Sequence, residues 1–182
     1  MLFSIPTYRF YSLLLVAVGI AVFTGCRKIP KFSETPSIQY KNIRKVTFFS
    51  EDQLIDSDSI ILGLHFEDGD GDLGASSEER SDPAFTGPYG NWGNYELVTA
   101  RKGANGQWTE SILAGDSLKW MPILKPDNKP GPIKGKLDLN TSFLYGNSTV
   151  PITLKFKVRI RDRALRVSNQ IETDSVVVPG YR

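Results

Sequence analysis

Three aspartates, Asp68, Asp70 and Asp72, alternate with Gly69 and Gly71 in the stretch HFEDGDGDLG, residues 65–74. Carboxylates spaced this closely repel one another, and a cation relieves that repulsion. A hard cation such as Ca²⁺ takes six to eight oxygen ligands, and alternating aspartates supply several within a few residues. Glycines between them let the backbone fold the carboxylates toward one point. The Asp68-x-Asp70-x-Asp72 spacing matches the start of an EF-hand loop, and Glu79 falls at its twelfth position. Leu73 stands where that loop needs glycine, and no flanking helices are evident. The expectation is therefore a calcium loop on a β scaffold. Three carboxylates do not complete the shell. Glu67, Glu79 and Asp82 are local candidates to add, and Asp162 and Asn169 are distant ones. The competing reading is a solvated acidic turn.

Other chemistry has little to work with. His65 is the only histidine and Cys26 the only cysteine, which excludes a zinc site or a Cys–His pair. No G-x-S-x-G turn accompanies His65. A glycosidase needs two carboxylates held at a fixed separation, and a glycine-rich loop holds them poorly. No catalytic residue is assigned, and no enzyme is expected.

The elements that must position the aspartates are strands. In 59–67, Ile60, Leu62, Leu64 and Phe66 alternate with Ile61, Gly63, His65 and Glu67, a period of two. In 151–161, Ile152, Leu154, Phe156, Val158 and Ile160 face one way. Thr153, Lys155, Lys157, Arg159 and Arg161 face the other. One oily and one wet face is the pattern of an antiparallel sheet over a core. Further strands are expected at 43–49, 95–102, 106–113, 133–139 and 171–178. Asn105-Gly106 marks a hairpin, and 125–132 is a proline-rich loop. About seven short strands predict an all-β, immunoglobulin-like antiparallel sandwich over 41–182, with a small barrel as the alternative. In the last hairpin, pairing 160 with 173 would set Arg161 by Glu172 and Arg159 by Asp174. The aromatic loop 85–95 offers Tyr89, Trp92 and Tyr95 as candidate contacts for a glycan or a protein partner, unless they fold back over the core edge.

The chain begins with Arg9 and an apolar run from Tyr11 to Phe23. That run is too short to span a bilayer, which takes about 20 residues, and it fits an export signal. Thr24, Gly25 and Cys26 follow, in the manner of a lipobox. Residues 1–25 are read as a signal peptide, 26–40 as a tether, and Cys26 as the lipidation site. Stable anchoring takes more than one acyl chain. Formal net charge is +2, and no dense basic block points to nucleic acid.

The lipobox, the loop Phe66 to Gly74 and the segment Asp162 to Asn169 together resemble a group of uncharacterised envelope lipoproteins of Bacteroidota. Their pattern is F-x-D-G-D-G-D-[LI]-G followed by D-R-A-L-x-x-S-N. The resemblance implies an immunoglobulin-like envelope protein with no settled activity. It also implies a location, since surface-exposed members carry acidic residues after the cysteine. Here Arg27, Lys28, Ile29, Pro30 and Lys31 follow, which favours the outer membrane's periplasmic face. The expected partners are the membrane, through Cys26, and an envelope protein or glycan. The leading expectation is a non-enzymatic binding or assembly module with a calcium loop. The alternative is a carbohydrate-binding accessory lipoprotein using the loop 85–95.

Anchoring through Cys26 predicts that mass spectrometry of the membrane fraction finds the mature chain starting at an acylated Cys26. Cys26→Ser should release the protein from the membrane; unchanged membrane association in that variant would overturn the assignment.

Overall fold

Period-two alternation puts every second side chain of a strand on one face, and two such oily faces bury each other. The computed structural model describes residues 30–49, 56–127, 129–145 and 150–180. The expected signal peptide and Cys26 lie outside the described residues. Eight strands are present among those described: β1 (Ser37–Phe48), β2 (Ser57–Asp68), β3 (Tyr95–Lys102), β4 (Trp108–Ser111), β5 (Ile133–Leu144), β6 (Ile152–Ile160), β7 (Ile171–Glu172) and β8 (Val176–Val178). One antiparallel sheet runs β1-β2-β5. The other runs β4-β3-β6-β7, with β8 also paired to β6.

A single core lies between the two sheets. Ile60, Leu62 and Leu64 of β2 and Leu137, Leu139 and Phe143 of β5 meet Leu97 of β3 and Leu154, Phe156, Val158 and Ile160 of β6. Phe143 and Phe156 bring their rings to 6.2 Å across the layers. Burying each such side chain contributes about 1.5–3 kcal/mol. This is an all-β arrangement of two antiparallel sheets. The helical pieces are short, at Ser77–Ser81, Pro83–Thr86, Gly87–Tyr89 and Ala114–Asp116. No helix among the described residues is long and apolar enough to cross a membrane.

Two sequence expectations are corrected here. The first strand begins at Ser37, so the last residues of the expected tether 26–40 belong to the sheet. Ile38 is buried. Its N–H donates to Asn169 Oδ1 at 2.9 Å, and Asn169 Nδ2 donates to Ile38 O at 2.8 Å. The Asn169 side chain thus acts as a piece of neighbouring strand, and it is spent there rather than on a cation.

The last hairpin is shifted by four residues from its expected register. Lys157 pairs with Glu172 and Val158 with Ile171. The turn closes early because the Arg166 N–H donates to Asp162 Oδ1 at 2.8 Å, with Leu165 in the left-handed region at φ 64°. An even slip leaves every side chain on its original face, so hydrophobic pattern does not oppose it. Glu172 therefore meets Lys155 at 2.6 Å, and Asp174 accepts from the Tyr40 hydroxyl at 3.0 Å. Arg159 reaches Glu96 of β3 with two bonds, 2.5 and 3.1 Å. Lys157 meets Glu110 of β4 at 2.5 Å. The basic stripe on β6 is thus matched by acids from its neighbours.

The corrected register predicts where charge coupling resides. A double-mutant cycle on Arg159→Ala and Glu96→Ala should return about 0.5–1 kcal/mol by chemical denaturation. The Arg159/Asp174 cycle should return none; coupling there instead would restore the register expected from sequence.

Candidate functional site

Strand β2 delivers Asp68 as its final residue, paired with Ile133. The inward alternation that buries Leu64 and Phe66 carries Asp68 to the same side, where it is 0 % exposed. The chain then turns through Gly69 to Asp72. Asp68 Oδ2 accepts the Gly71 N–H at 2.8 Å, a side-chain bond to the backbone three residues on that closes the turn. Gly71 has φ 76°, and a Cβ there would lie 2.4 Å from Gly131 O. Glycine is required for both reasons. A Cβ on Gly69 would meet the backbone of Phe32 and Ser33 at 2.6–2.7 Å, because the segment leading into β1 crosses the loop. The N–H of Gly131 donates to Asp70 O at 2.9 Å. The aspartate loop is thereby wedged between the lead segment and the loop preceding β5.

The fourth carboxylate comes from the other sheet. Asp162 follows β6 and is buried. Its Oδ2 accepts Arg166 Nε at 2.6 Å. The same guanidinium reaches Glu34 through Nη1 at 2.8 Å, and Asp70 and Asp72 through Nη2, the last at 3.8 Å. One arginine thus links the lead segment, the aspartate loop and the 162–166 turn. The bonds to Asp70 and then Asp162 raise the Arg166 pKa still further, so its charge is permanent.

Asp68, Asp70, Asp72 and Asp162 each place one oxygen so that all four lie within 4.8 Å of one another. Oδ1 of Asp68, Asp70 and Asp72 is buried and accepts no hydrogen bond from the described residues. Unpartnered buried carboxylate oxygens are costly. Burial, with Asp70 beside it, pushes Asp68 up to about 7. Burial, then Asp162 and Asp70, pushes Asp72 up to about 6. An all-oxygen donor set of this charge suits a hard divalent cation.

Of the expected ligands, the structure brings together Asp68, Asp70, Asp72 and Asp162, and leaves out Glu79. Glu79 Oε2 accepts the Ser76 N–H at 2.8 Å and also meets Arg163, while the Glu79 N–H donates to Ser76 Oγ at 3.2 Å. This is a capping box, for which Ser-x-x-Glu is the sequence signal. Asp82 likewise caps the next helical turn, accepting from the Ala84 N–H at 2.9 Å. Glu67 and His65 are exposed on the outer face of β2. Arg166 and Glu34 were not anticipated. Asp162 and Arg166 stand four apart, a spacing that signals a pair only once the turn is known.

The aromatic loop also departs from expectation. Tyr89 and Tyr95 are buried and Trp92 is half-buried, so Tyr89 and Tyr95 form no surface platform. Arg161, expected on the wet face by Glu172, is itself buried. Its guanidinium stacks 3.8 Å from the Trp92 ring and 4.7 Å from Tyr89. It donates to Gly93 O at 2.9 Å and to the carbonyls of Tyr89 and Trp92. Tyr89 packs edge-on to Trp120 at 4.8 Å, and its hydroxyl donates to Asp162 O at 3.4 Å. The rings brace the carboxylate site from behind.

Comparison of the chain with protein-family models, with curated proteins and with solved structures finds no match.

The raised carboxyls fix the sign of a pH effect. Between the ordinary carboxylate range near 4 and about 7, the folded state keeps protons on Asp68 and Asp72 that the unfolded state has lost, so stability falls as pH rises. In chelator, the melting temperature should drop by roughly 5–10 °C from pH 5 to pH 7.5, as a few kcal/mol requires in a domain of this size. A flat or rising profile would show that these carboxylates are not held as described.

Proposed function

We propose that this chain is a lipid-anchored, non-enzymatic binding or assembly module of the cell envelope, with Ca²⁺ held as a structural ion by Asp68, Asp70, Asp72 and Asp162. The observation that carries the ion is the set of three buried Oδ1 atoms left without hydrogen bonds in a cluster of four aspartates that each offer one oxygen within 4.8 Å of the others. A solvated acidic turn would leave such atoms in water. The carboxylates are assigned to an ion rather than to catalysis because a glycosidase uses a pair flanking the bond it cleaves, whereas four aspartates gather here and three keep a buried oxygen without a hydrogen bond.

The strand order supports the immunoglobulin-like reading. Hairpin β1-β2 takes β5 as its third strand, while β3-β4 and β6-β7 build the opposite sheet, a crossed connectivity of that type. The lipoprotein resemblance and the Cys26 signal support the envelope location and the outer-membrane anchor. The carbohydrate-binding alternative rested on exposed rings in 85–95, and the burial of Tyr89 and Tyr95 removes that support.

Calcium should raise the melting temperature where sodium chloride at equal ionic strength does not, since screening alone does not distinguish the two. A hundredfold excess over Kd stabilises by about 2.7 kcal/mol. Magnesium should be a weaker substitute, because it demands tight octahedral geometry. Asp68→Asn separates the readings. It removes a charge from a repelling cluster, so the variant should melt higher than the parent in chelator and lose the calcium response. A calcium response that survives in Asp68→Asn would sink the assignment.

A further inference from the structure

We infer that the outer edge of β5 is a self-association surface, along which a second copy of this chain lays its own β5 antiparallel. The inference deepens the assembly reading by naming the partner, and it does not depend on the calcium site. Strand β5 ends the sheet β1-β2-β5. In an immunoglobulin-like sandwich of the constant type the fourth strand flanks the fifth, but here β4 pairs with β3. Strand β5 is 12 residues long, holds no proline and keeps an unbroken register with β2.

In an antiparallel ladder, successive residues alternate between exchanging bonds with the neighbouring strand and pointing them away. The Tyr145 N–H donates to Asp56 O at 2.9 Å, one step beyond the pair of Leu144 with Ser57. The odd-numbered residues of β5 therefore bond to β2. The N–H and C=O groups of Lys134, Lys136, Asp138, Asn140 and Ser142 point outward along the edge. Among the described residues one group reaches them, Lys119 Nζ, which donates to Asn140 O at 3.3 Å. The segment 113–119 beside the edge reaches β5 otherwise through Asp116, whose Oδ2 accepts from the inward Thr141 hydroxyl at 2.8 Å. The outward N–H donors receive no acceptor from the described residues. A long edge with unpaired donors is a template for another strand.

Charge selects that strand and its register. The side chains of Lys134, Lys136, Asp138 and Asn140 are exposed on the outer face of the sheet. A two-fold axis at Leu137 sets Lys136 opposite Asp138 of the second copy, Asp138 opposite its Lys136, and Lys134 opposite its Asn140. All are outward-pointing residues, so the pairs exchange backbone bonds in both directions. Sliding the second copy by two residues sets Lys136 against Lys136 one way and Asp138 against Asp138 the other. Like charges directly opposite destabilise a ladder. A slide of one residue opposes the outward groups to groups already bonded to β2. Asp138 gives Oδ2 to Arg44 at 2.8 Å, which leaves Oδ1 for the lysine. Asn140 O has a second lone pair and keeps Lys119 while accepting from the second copy. The two-fold closes, so the product is a dimer and not a filament.

The test uses the full chain in detergent solution, prepared with one or the other of two fluorophores at its C-terminus. Energy transfer between the two forms is read over a dilution series. The parent should show transfer that falls on dilution. Lys136→Asp and Asp138→Lys each set two like-charge pairs across the axis, and each should weaken association by about tenfold or more. The exchange Lys136→Asp with Asp138→Lys in one chain should recover the parent's affinity. A mixture of the two single variants should also associate, because each supplies the charges the other lacks. That rescue separates a lost interface from a misfolded variant. No transfer in the parent up to about 1 mM, transfer that the single reversals leave unchanged, or a loss that neither rescue restores overturns the inference. The calcium reading is untouched by any of these results, since its own test is the melting response.

Discussion

Four carboxylates meeting at one point set the terms for this end of the sandwich. At an effective dielectric of 20, two unit charges about 5 Å apart repel by about 3 kcal/mol, and the four oxygens lie within 4.8 Å of one another. The fold accepts that repulsion because the rest of the chain leaves it little choice. Asp68 is carried inward by the alternation of β2, and Asp162 by the end of β6. Gly71 is locked against Gly131, and Gly69 against the lead segment. Burial sharpens that repulsion and raises the Asp68 and Asp72 carboxyls, and one arginine is the positive charge that the described residues place against them.

The second guanidinium shows the same economy with the opposite sign. Arg161 is buried with three carbonyl acceptors and two aromatic faces, and among the described residues no carboxylate bonds to it. Desolvation lowers its pKa, yet an arginine keeps its proton. Carbonyl dipoles and ring quadrupoles take the place of a counter-ion. The loop from Tyr89 to Trp92 is thereby wrapped around β6 and held next to Asp162. Its aromatic character, which on sequence grounds suits a binding surface equally well, is used to enclose a cation.

Much of the fold was legible because it rests on period two. β3 runs from Tyr95 to Lys102 as expected, and β2 and β6 sit within two residues of their expected ends. Asp68, Asp70 and Asp72 were legible as a group from spacing alone, and Asp162 from its place at the end of a clean strand. What was not legible depended on geometry that alternation does not encode. The 162–166 turn closes through a side-chain bond and a left-handed leucine, and the resulting slip of four residues changes every charge partner without changing a face. Glu79 was misassigned because counting positions along an EF-hand pattern overlooked the nearer Ser76-x-x-Glu79 signal. Glu34 is unreadable as a partner of Arg166, because 132 residues separate them.

The arrangement of individual oxygens decides whether Arg166 could stand in for a cation. The arginine side chain bonds to Oδ2 of Asp70 and Oδ2 of Asp162, and approaches Oδ2 of Asp72. The oxygens left without hydrogen bonds are Oδ1 of Asp68, Asp70 and Asp72. Asp70 and Asp72 therefore turn one oxygen toward the guanidinium and leave the other buried without a hydrogen bond among the described residues. Asp68 follows the same division, with Oδ2 given to the Gly71 N–H. Arg166 offsets one of the four charges, and its side-chain bonds go to Oδ2 atoms and not to the three unpartnered Oδ1 atoms. A guanidinium is planar and presents its donors at its edge, so it cannot satisfy several oxygens converging on one point from different directions. A spherical cation can. The arginine thus fixes the Oδ2 side of these carboxylates, and the unpartnered Oδ1 atoms are the ones that the proposed ion would have to satisfy.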